Sequence, residues 1–494
     1  MRRLLIEIRD YFIRLSGAIR HGWDTFFFTP ADPTTLGLIR IATGLLAFWS
    51  LFVFGLDLPD YFASTGWADP TAIRMAQQGW QWSFWFLVPD GALRAVWIGC
   101  LVVLAMFSIG LFSRTTAVLS WVIVVSTVRR VPIALYGFDQ ALSPLALYLA
   151  VTGAAGQSVS LDRFLRRWRQ ARASAARPMP ASATPEGASR RVLPTEPAVP
   201  LPTVGANLAL RLIQLHLVVI YASAGLGKLQ GPSWWNGMAL WGTMTAGEFV
   251  VLDFTPMARW PMLINFLTHA SLAIELLYPA LIWVPIARPL MLVSIIGLHA
   301  GIGLMSPGLA EFSAMMIAAN LAFVPGGWLR RLVSDPDRPP LKVLFDGACP
   351  RCRATMAMVM ASEPGGAVEP IDLTAVDVRA IHPSLTADAC LQAMHAVNGR
   401  GRVSAGFDAV RAIGARLPLF WMPTAVGSLP GVASAGRSVY NRIAASRPRD
   451  RPCTDQACGI HPAPRSGPRS RRGRSTNHHE AEPSPADTRE VPRP

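Results

Sequence analysis

Val343-Leu344-Phe345-Asp346-Gly347-Ala348-Cys349-Pro350-Arg351-Cys352 is the stretch on which the fold of this 494-residue chain turns. Three apolar residues make a short buried strand, a glycine turn follows, and two cysteines open a helix that continues through Met360. A cysteine at a helix N-terminus meets unpaired backbone N–H groups and the positive end of the helix dipole, which lowers its thiol pKa. A stabilised Cys349 thiolate attacks disulfides, and Cys352, one turn on, can resolve the mixed disulfide. The competing reading is zinc, but a lone Cys-x-x-Cys supplies two ligands and Cys390 stands alone, so no metal is expected. Asp346 has two readings, a buried proton acceptor for Cys352 or a cap on the turn.

Downstream of this stretch a mixed α/β domain is expected over residues 341–448, entered through Pro339 and Pro340. Residues 449–494 are rich in Arg, Pro and Ser and are expected to be a disordered basic tail. Within the tail, Cys453, Cys458 and His461 have poor spacing for a metal.

Upstream the composition changes. The whole chain is 51% hydrophobic and 16% charged, with 16 Trp and 22 Phe, against about 25% charge in soluble domains. Apolar blocks near the roughly 20 residues that a bilayer-spanning helix requires exclude a purely cytosolic enzyme. About eight spans are expected, near 36–55, 93–112, 115–134, 140–156, 206–227, 263–283, 287–305 and 309–325. The fourth carries Pro144 and is short enough to be partly re-entrant. The fold class is therefore a multi-pass α-helical membrane domain followed by a C-terminal α/β domain.

The net charge of +15 lies in loop runs and the tail, a positive-inside pattern rather than a nucleic-acid surface. Residues 1–23 place Leu4, Leu5, Ile8, Phe12, Leu15 and Ile19 on one face, as an interfacial amphipathic helix does. A first membrane half is expected over 24–170 and a second over 204–332, joined by a disordered cytoplasmic linker at 171–203. Arg114, the run from Arg163 to Arg177, Arg288, Arg330 and Arg331 fall on one side, which sets both termini and the α/β domain in the cytoplasm. Arg129 and Arg130 fall on the other side and imply a specific role. The outer loops hold Trp67, Trp80, Trp82, Trp85, Trp234, Trp235, Trp241 and Trp260, the make-up of an interfacial belt.

Of 46 basic residues only Lys228 and Lys342 are lysines, and lysine, unlike arginine, can lose its proton when buried. In the fifth span Gln214, Tyr221, Gly225 and Lys228 lie along one helical face. With Arg40, His216, His269, Glu275, His299, Glu311 and Asn320 they suggest a polar cavity on the outer half. Snorkelling to the interface is the alternative for Lys228.

Asp346, Cys349 and Cys352 match, position for position, the Asp-x-x-Cys-x-x-Cys motif of the DCC family of predicted thiol-disulfide oxidoreductases, which this region resembles. The likeness continues through Gly406-Phe407-Asp408-Ala409, Leu429-Pro430, Tyr440 and Arg447 and covers about residues 341–448. It implies a thioredoxin-like fold, with Cys349 as nucleophile and Cys352 as resolving thiol. Residues 22–328 resemble the membrane domain shared by vitamin K-dependent gamma-carboxylase and its bacterial relatives, the HTTM family. The matching residues are Arg40, the run from Tyr221 to Lys228-Leu229, Trp234-Trp235-Asn236-Gly237, Glu275, and His299 to Phe312. That resemblance implies Lys228 as a base toward a quinone-like cofactor. Tyr136-Gly137-Phe138-Asp139 stands where the carboxylase has an Asn-His pair, so glutamate carboxylation is not expected.

The expectation is a bacterial inner-membrane protein whose cytoplasmic dithiol exchanges with an unknown thiol or disulfide partner. The alternatives are a membrane enzyme acting on a quinone-like or lipid substrate through Lys228, and a non-catalytic redox-sensing scaffold.

Overall fold

The computed structural model describes residues 2–77, 82–177, 185–245, 252–333, 335 and 337–446. The expectations for 449–494, including Cys453, Cys458 and His461, and for Trp80, lie outside the described residues.

The helical region comprises α1 (Arg2–Phe28), α2 (Thr34–Phe54), α3 (Leu93–Ile109), α4 (Ser113–Arg130), α5 (Gly137–Val151), α6 (Leu161–Ala176), α7 (Pro185–Arg190), α8 (Val204–Lys228), α9 (Pro261–Leu281), α10 (Arg288–Met305), α11 (Ala310–Asn320) and α12 (Gly326–Val333). α1 runs five residues past the expected end and leaves Leu4, Leu5, Ile8, Phe12 and Ile19 exposed. A helix with so much uncovered apolar surface is suited to lie in a lipid interface.

Thr34–Phe62, Asp90–Ile109, Val204–Lys228, Pro261–Leu281 and Arg288–Met305 are long and apolar enough to cross a membrane. A sixth span results if Pro307–Phe323 and Gly326–Val333, bent by 108°, count as one. Of the about eight spans expected, these five or six have that length and apolarity, and α4 and α5 do not. α4 carries Arg114, Arg129 and Arg130, and α5 has 15 residues, about 22 Å against a hydrocarbon core of about 30 Å. Both pack within the bundle, where Phe138, Leu142, Leu145 and Leu149 of α5 are buried.

One end of the bundle collects the junctions. Asn207 Nδ2 donates to the Phe26 carbonyl at 2.8 Å, and Arg330 pairs with Asp32 and reaches Thr34 Oγ1 at 2.8 Å. There Arg40, fully buried, donates to the carbonyls of Ala155 (2.8 Å), Val159 (2.7 Å) and Ser108 (3.3 Å). At the other end Arg130, also buried, donates to Ala68 O at 2.9 Å and Ala63 O at 3.2 Å. It thus pins the loop between α2 and α3. Trp85 is 1% exposed against Phe62 and belongs to the core rather than to a belt.

The α/β domain begins with β1 (Leu341–Phe345), followed by α13 (Pro350–Ser362), β2 (Val368–Asp372), β3 (His395–Val397), β4 (Val403–Ala405), α14 (Phe407–Gly414), α15 (Trp421–Val426) and α16 (Pro430–Ala445). The strands lie in the order β2-β1-β3-β4, with β1 parallel to β2 and antiparallel to β3, and β4 antiparallel to β3. One face carries Val343, Phe345, Met356, Met360, Ala396 and Ile413, and the other carries Leu344, Ile371, Leu385, Cys390 and Val397. That alternation along β1 is the period of two of a strand buried on both faces.

The expected disordered linker at 171–203 needs correction over its described residues. Residues 171–176 continue α6, with Ala171 and Ala175 buried, and Pro185–Arg190 form α7. α6 packs along α13, and Ala175 and Val192 are buried in the core of the α/β domain. Residues 171–177 carry no large apolar side chain, yet small alanines let two helices approach closely. The Arg167 guanidinium then satisfies the carbonyls that α13 leaves open at its C-terminal end.

Candidate functional site

Cys349 is the N-cap of α13, and Pro350 takes the first helical position, where a missing N–H costs nothing. The Cys349 sulfur accepts the Cys352 backbone N–H at 3.4 Å, and the Cys349 N–H donates to the Asp346 carbonyl at 3.1 Å. A hydrogen bond from the Cys352 side chain and the N–H groups of Cys352 and Arg351 hold the Cys349 thiol pKa down to about 6. Burial and the nearby Asp346 charge oppose them. Both cysteines are free thiols, and both are buried, Cys349 at 0% exposure and Cys352 at 5%.

The turn beneath the sulfurs is braced by two carboxylates. Asp346 Oδ1 accepts the Ala348 N–H at 3.0 Å, which is the turn-capping contact. Asp372, at the end of β2, accepts from Gly347 N (3.1 Å), Thr374 N (3.0 Å) and Thr374 Oγ1 (2.8 Å). Burial raises the Asp372 pKa against these bonds. A side chain at position 347 would strike the Asp372 carboxylate, so the close approach requires glycine.

Three further contributors were not foreseen in the sequence. Arg353 spans from Gly347 O (2.8 Å) to Ala175 O (2.9 Å), tying the dithiol turn to α6. Arg167 donates to Ala361 O (2.8 Å), Met360 O (3.0 Å) and Glu363 O (3.0 Å) at the other end of α13. Ser189 Oγ accepts the Asp372 N–H at 3.2 Å. Only Asp372, an acid closing an apolar strand, carried a signal that could have been read.

Lys228 lies in a separate cluster. Its ammonium donates to both carboxylate oxygens of Glu275 and sits 5.0 Å from the Trp234 ring centroid. Tyr221 shares a hydrogen bond with His299 Nε2 at 2.9 Å and accepts from Asn320 Nδ2 at 3.0 Å, and Tyr278 donates to Asn320 Oδ1 at 2.6 Å. The polar residues do not form one group. Gln214 donates to Ala322 O, His216 meets Tyr148, Glu311 accepts from Trp49 and Tyr136, and His269 lies exposed against Asn265 O. Arg40 belongs to the junction at the opposite end. A cavity of about 20 Å³, between α2, α4 and α5, has Asp139 on its wall and not Lys228.

The fold and site define a small α/β dithiol domain carried on a helical region with membrane-spanning segments, an integral membrane protein. A family model described as DCC1-like thiol-disulfide oxidoreductase matches residues 343–450. No curated protein and no solved structure matches the chain.

Proposed function

We propose that the chain is a membrane-anchored thiol-disulfide oxidoreductase with Cys349 as nucleophile and Cys352 as resolving thiol. One observation carries this reading: the Cys349 sulfur caps α13 and accepts the Cys352 N–H, which helps hold its pKa down to about 6. The thiolate attacks one sulfur of a substrate disulfide, whose S–S bond breaks as a mixed disulfide forms and one substrate thiolate leaves. Cys352 passes its proton to Asp346 and attacks the Cys349 sulfur, releasing the second substrate thiolate. Two electrons move from dithiol to substrate, and the resulting Cys349–Cys352 disulfide is reduced again by a thiol donor of the same compartment. Since both sulfurs are buried, each exchange requires the side chains over them to move aside.

The thioredoxin-like assignment is supported by a parallel β1–β2 pair joined through the dithiol helix and an antiparallel β3–β4 hairpin on the other edge. A cytoplasmic location of this domain is supported by Arg163, Arg167 and Arg330, which gather at the bundle end that carries it. The test is reduction of a small disulfide by the full chain in detergent: Cys349→Ser abolishes it, and undiminished activity would sink the proposal.

A second reading, resting on the HTTM likeness, gives the membrane region chemistry of its own on a quinone-like or lipid substrate. The observation favouring it is the part-buried Lys228–Glu275 pair, in which Glu275 can take the proton that a basic Lys228 must first lose. Full quinone-dependent turnover by Lys228→Arg in membranes would exclude that role.

A further inference from the structure

Two arginines come together at the end of the bundle that collects the junctions. Arg211, seven residues into α8, donates from Nε to the Phe26 carbonyl at 3.1 Å and from Nη1 to Gln214 Oε1 at 2.9 Å. Its guanidinium lies over the Phe26 ring, 4.2 Å from the centroid, and that ring packs on Trp283 at 5.7 Å. Arg288, which opens α10, donates from Nε to the Ile282 carbonyl at 3.1 Å and from Nη2 to the Trp283 carbonyl at 3.3 Å. Phe26 and Trp283 thus connect the two guanidinium groups, which are near enough for the Arg288 charge to act on Arg211.

Neither charge is compensated. Among the described residues no carboxylate pairs with Arg211 or Arg288. Nη2 of Arg211 and Nη1 of Arg288 make no hydrogen bond among those residues, and neither atom is sealed inside the protein. Two like charges at the border of an apolar region repel one another until an anion joins them. The forks are also set in advance, since Gln214, which steadies Arg211, is buried and donates to the Ala322 carbonyl at 2.7 Å. Fixed guanidinium groups with unused N–H donors match the oxygens of a phosphate. The surroundings select its source. Ile286 is 90% exposed and Leu290 69%, so apolar side chains on both sides of Arg288 face outward at the end of a spanning helix. A free phosphate leaves that apolar surface bare, whereas the acyl chains of a phospholipid cover it.

We propose that Arg211 and Arg288 form a binding site for the phosphate of an anionic phospholipid in the leaflet at this end of the bundle. Basic pockets between spanning helices take such headgroups. A zwitterionic lipid carries a cation that offsets its phosphate, so the site selects by net charge. The bound headgroup joins α1, α8 and the turn before α10, because each supplies a contact to the arginine pair.

The test is native mass spectrometry of the full chain in detergent, titrated with equal amounts of phosphatidylglycerol and phosphatidylcholine that share the same acyl chains. The wild type retains phosphatidylglycerol in preference to phosphatidylcholine by about tenfold. Arg211→Gln with Arg288→Gln removes that preference. Arg288→Glu removes it as well while giving Arg211 a carboxylate from within the chain, so the junction stays paired and the variant melts no lower than the wild type. Arg14→Gln with Arg20→Gln, which takes two exposed charges from α1, keeps the preference. A wild type without preference, a preference that survives Arg288→Glu, or an equal loss in the α1 variant overturns the proposal. Inorganic phosphate in large excess leaves the lipid bound; displacement by it would assign the pair to a soluble anion and overturn the lipid source.

Discussion

The sulfur of Cys349 lies 3.4 Å from the backbone nitrogen of Cys352, across the first turn of α13. A thiolate there is stabilised by the open end of a helix, and that one contact connects a four-residue motif to a reactivity.

Cys349 is expected to titrate near 6 instead of the ordinary 9.0. Its alkylation by iodoacetamide, followed by peptide mass spectrometry, rises through that pH and levels off near neutrality. Cys390, whose pKa burial raises, stays unreactive across the same range. The shift also has a stability consequence. A depressed folded-state pKa stabilises the reduced protein fully above pH 9 and loses that contribution as pH falls through about 6. The difference in Tm between the reduced wild type and Cys349→Ser therefore shrinks over that window.

Asp346 combines a structural contact with the assigned proton acceptance, and one substitution separates them. Asp346→Asn keeps an oxygen for the Ala348 N–H but cannot take a proton. The variant folds normally and accumulates mixed disulfide on Cys349 because Cys352 attacks slowly. Removal of the carboxylate charge also lowers the Cys349 pKa further, which the same alkylation profile detects.

Arg167→Ala leaves three carbonyl groups at the end of α13 without their guanidinium donor. The expected loss is about 3 kcal/mol in the docking of the α/β domain, from hydrogen bonds to a charged group and the unsatisfied acceptors left behind. Hydrogen exchange in α6 and α13 reports it. Arg167→Lys recovers little, since an ammonium lacks the planar fork that serves several acceptors.

Lys228→Met strands the Glu275 carboxylate, which is 6% exposed. Thermal denaturation in detergent is expected to show this single variant less stable than Lys228→Met with Glu275→Gln, by about 3 kcal/mol. Equal stability of the two variants would show that the pair is not energetically coupled.

The dithiol, its strand and its helix were legible in the sequence because each rests on local chemistry: an apolar run, a glycine turn and a cysteine at a helix start. The long apolar helices were legible for the same reason, and Lys228 and Glu275, both singled out, do meet. What stayed hidden depends on distant partners. Arg167 reads as one more cation in a basic loop until α6 packs on α13, 194 positions separating it from the Ala361 carbonyl it serves. Ala171 and Ala175 carry no hydrophobic signal, yet they make the contact surface of that helix. α4 and α5 read as spans on hydropathy, yet three arginines in the one and the 15-residue length of the other keep them out of the helices long and apolar enough to cross a membrane.

In the proposed exchange Cys349 is the attacking sulfur. The most direct test is the site of the trapped mixed disulfide in Cys352→Ser, full chain, mapped by mass spectrometry after incubation with a disulfide-bonded peptide. Peptide is expected at Cys349 in that variant and none in Cys349→Ser. Attachment at Cys390 or Cys100, or no adduct at Cys349, would contradict it.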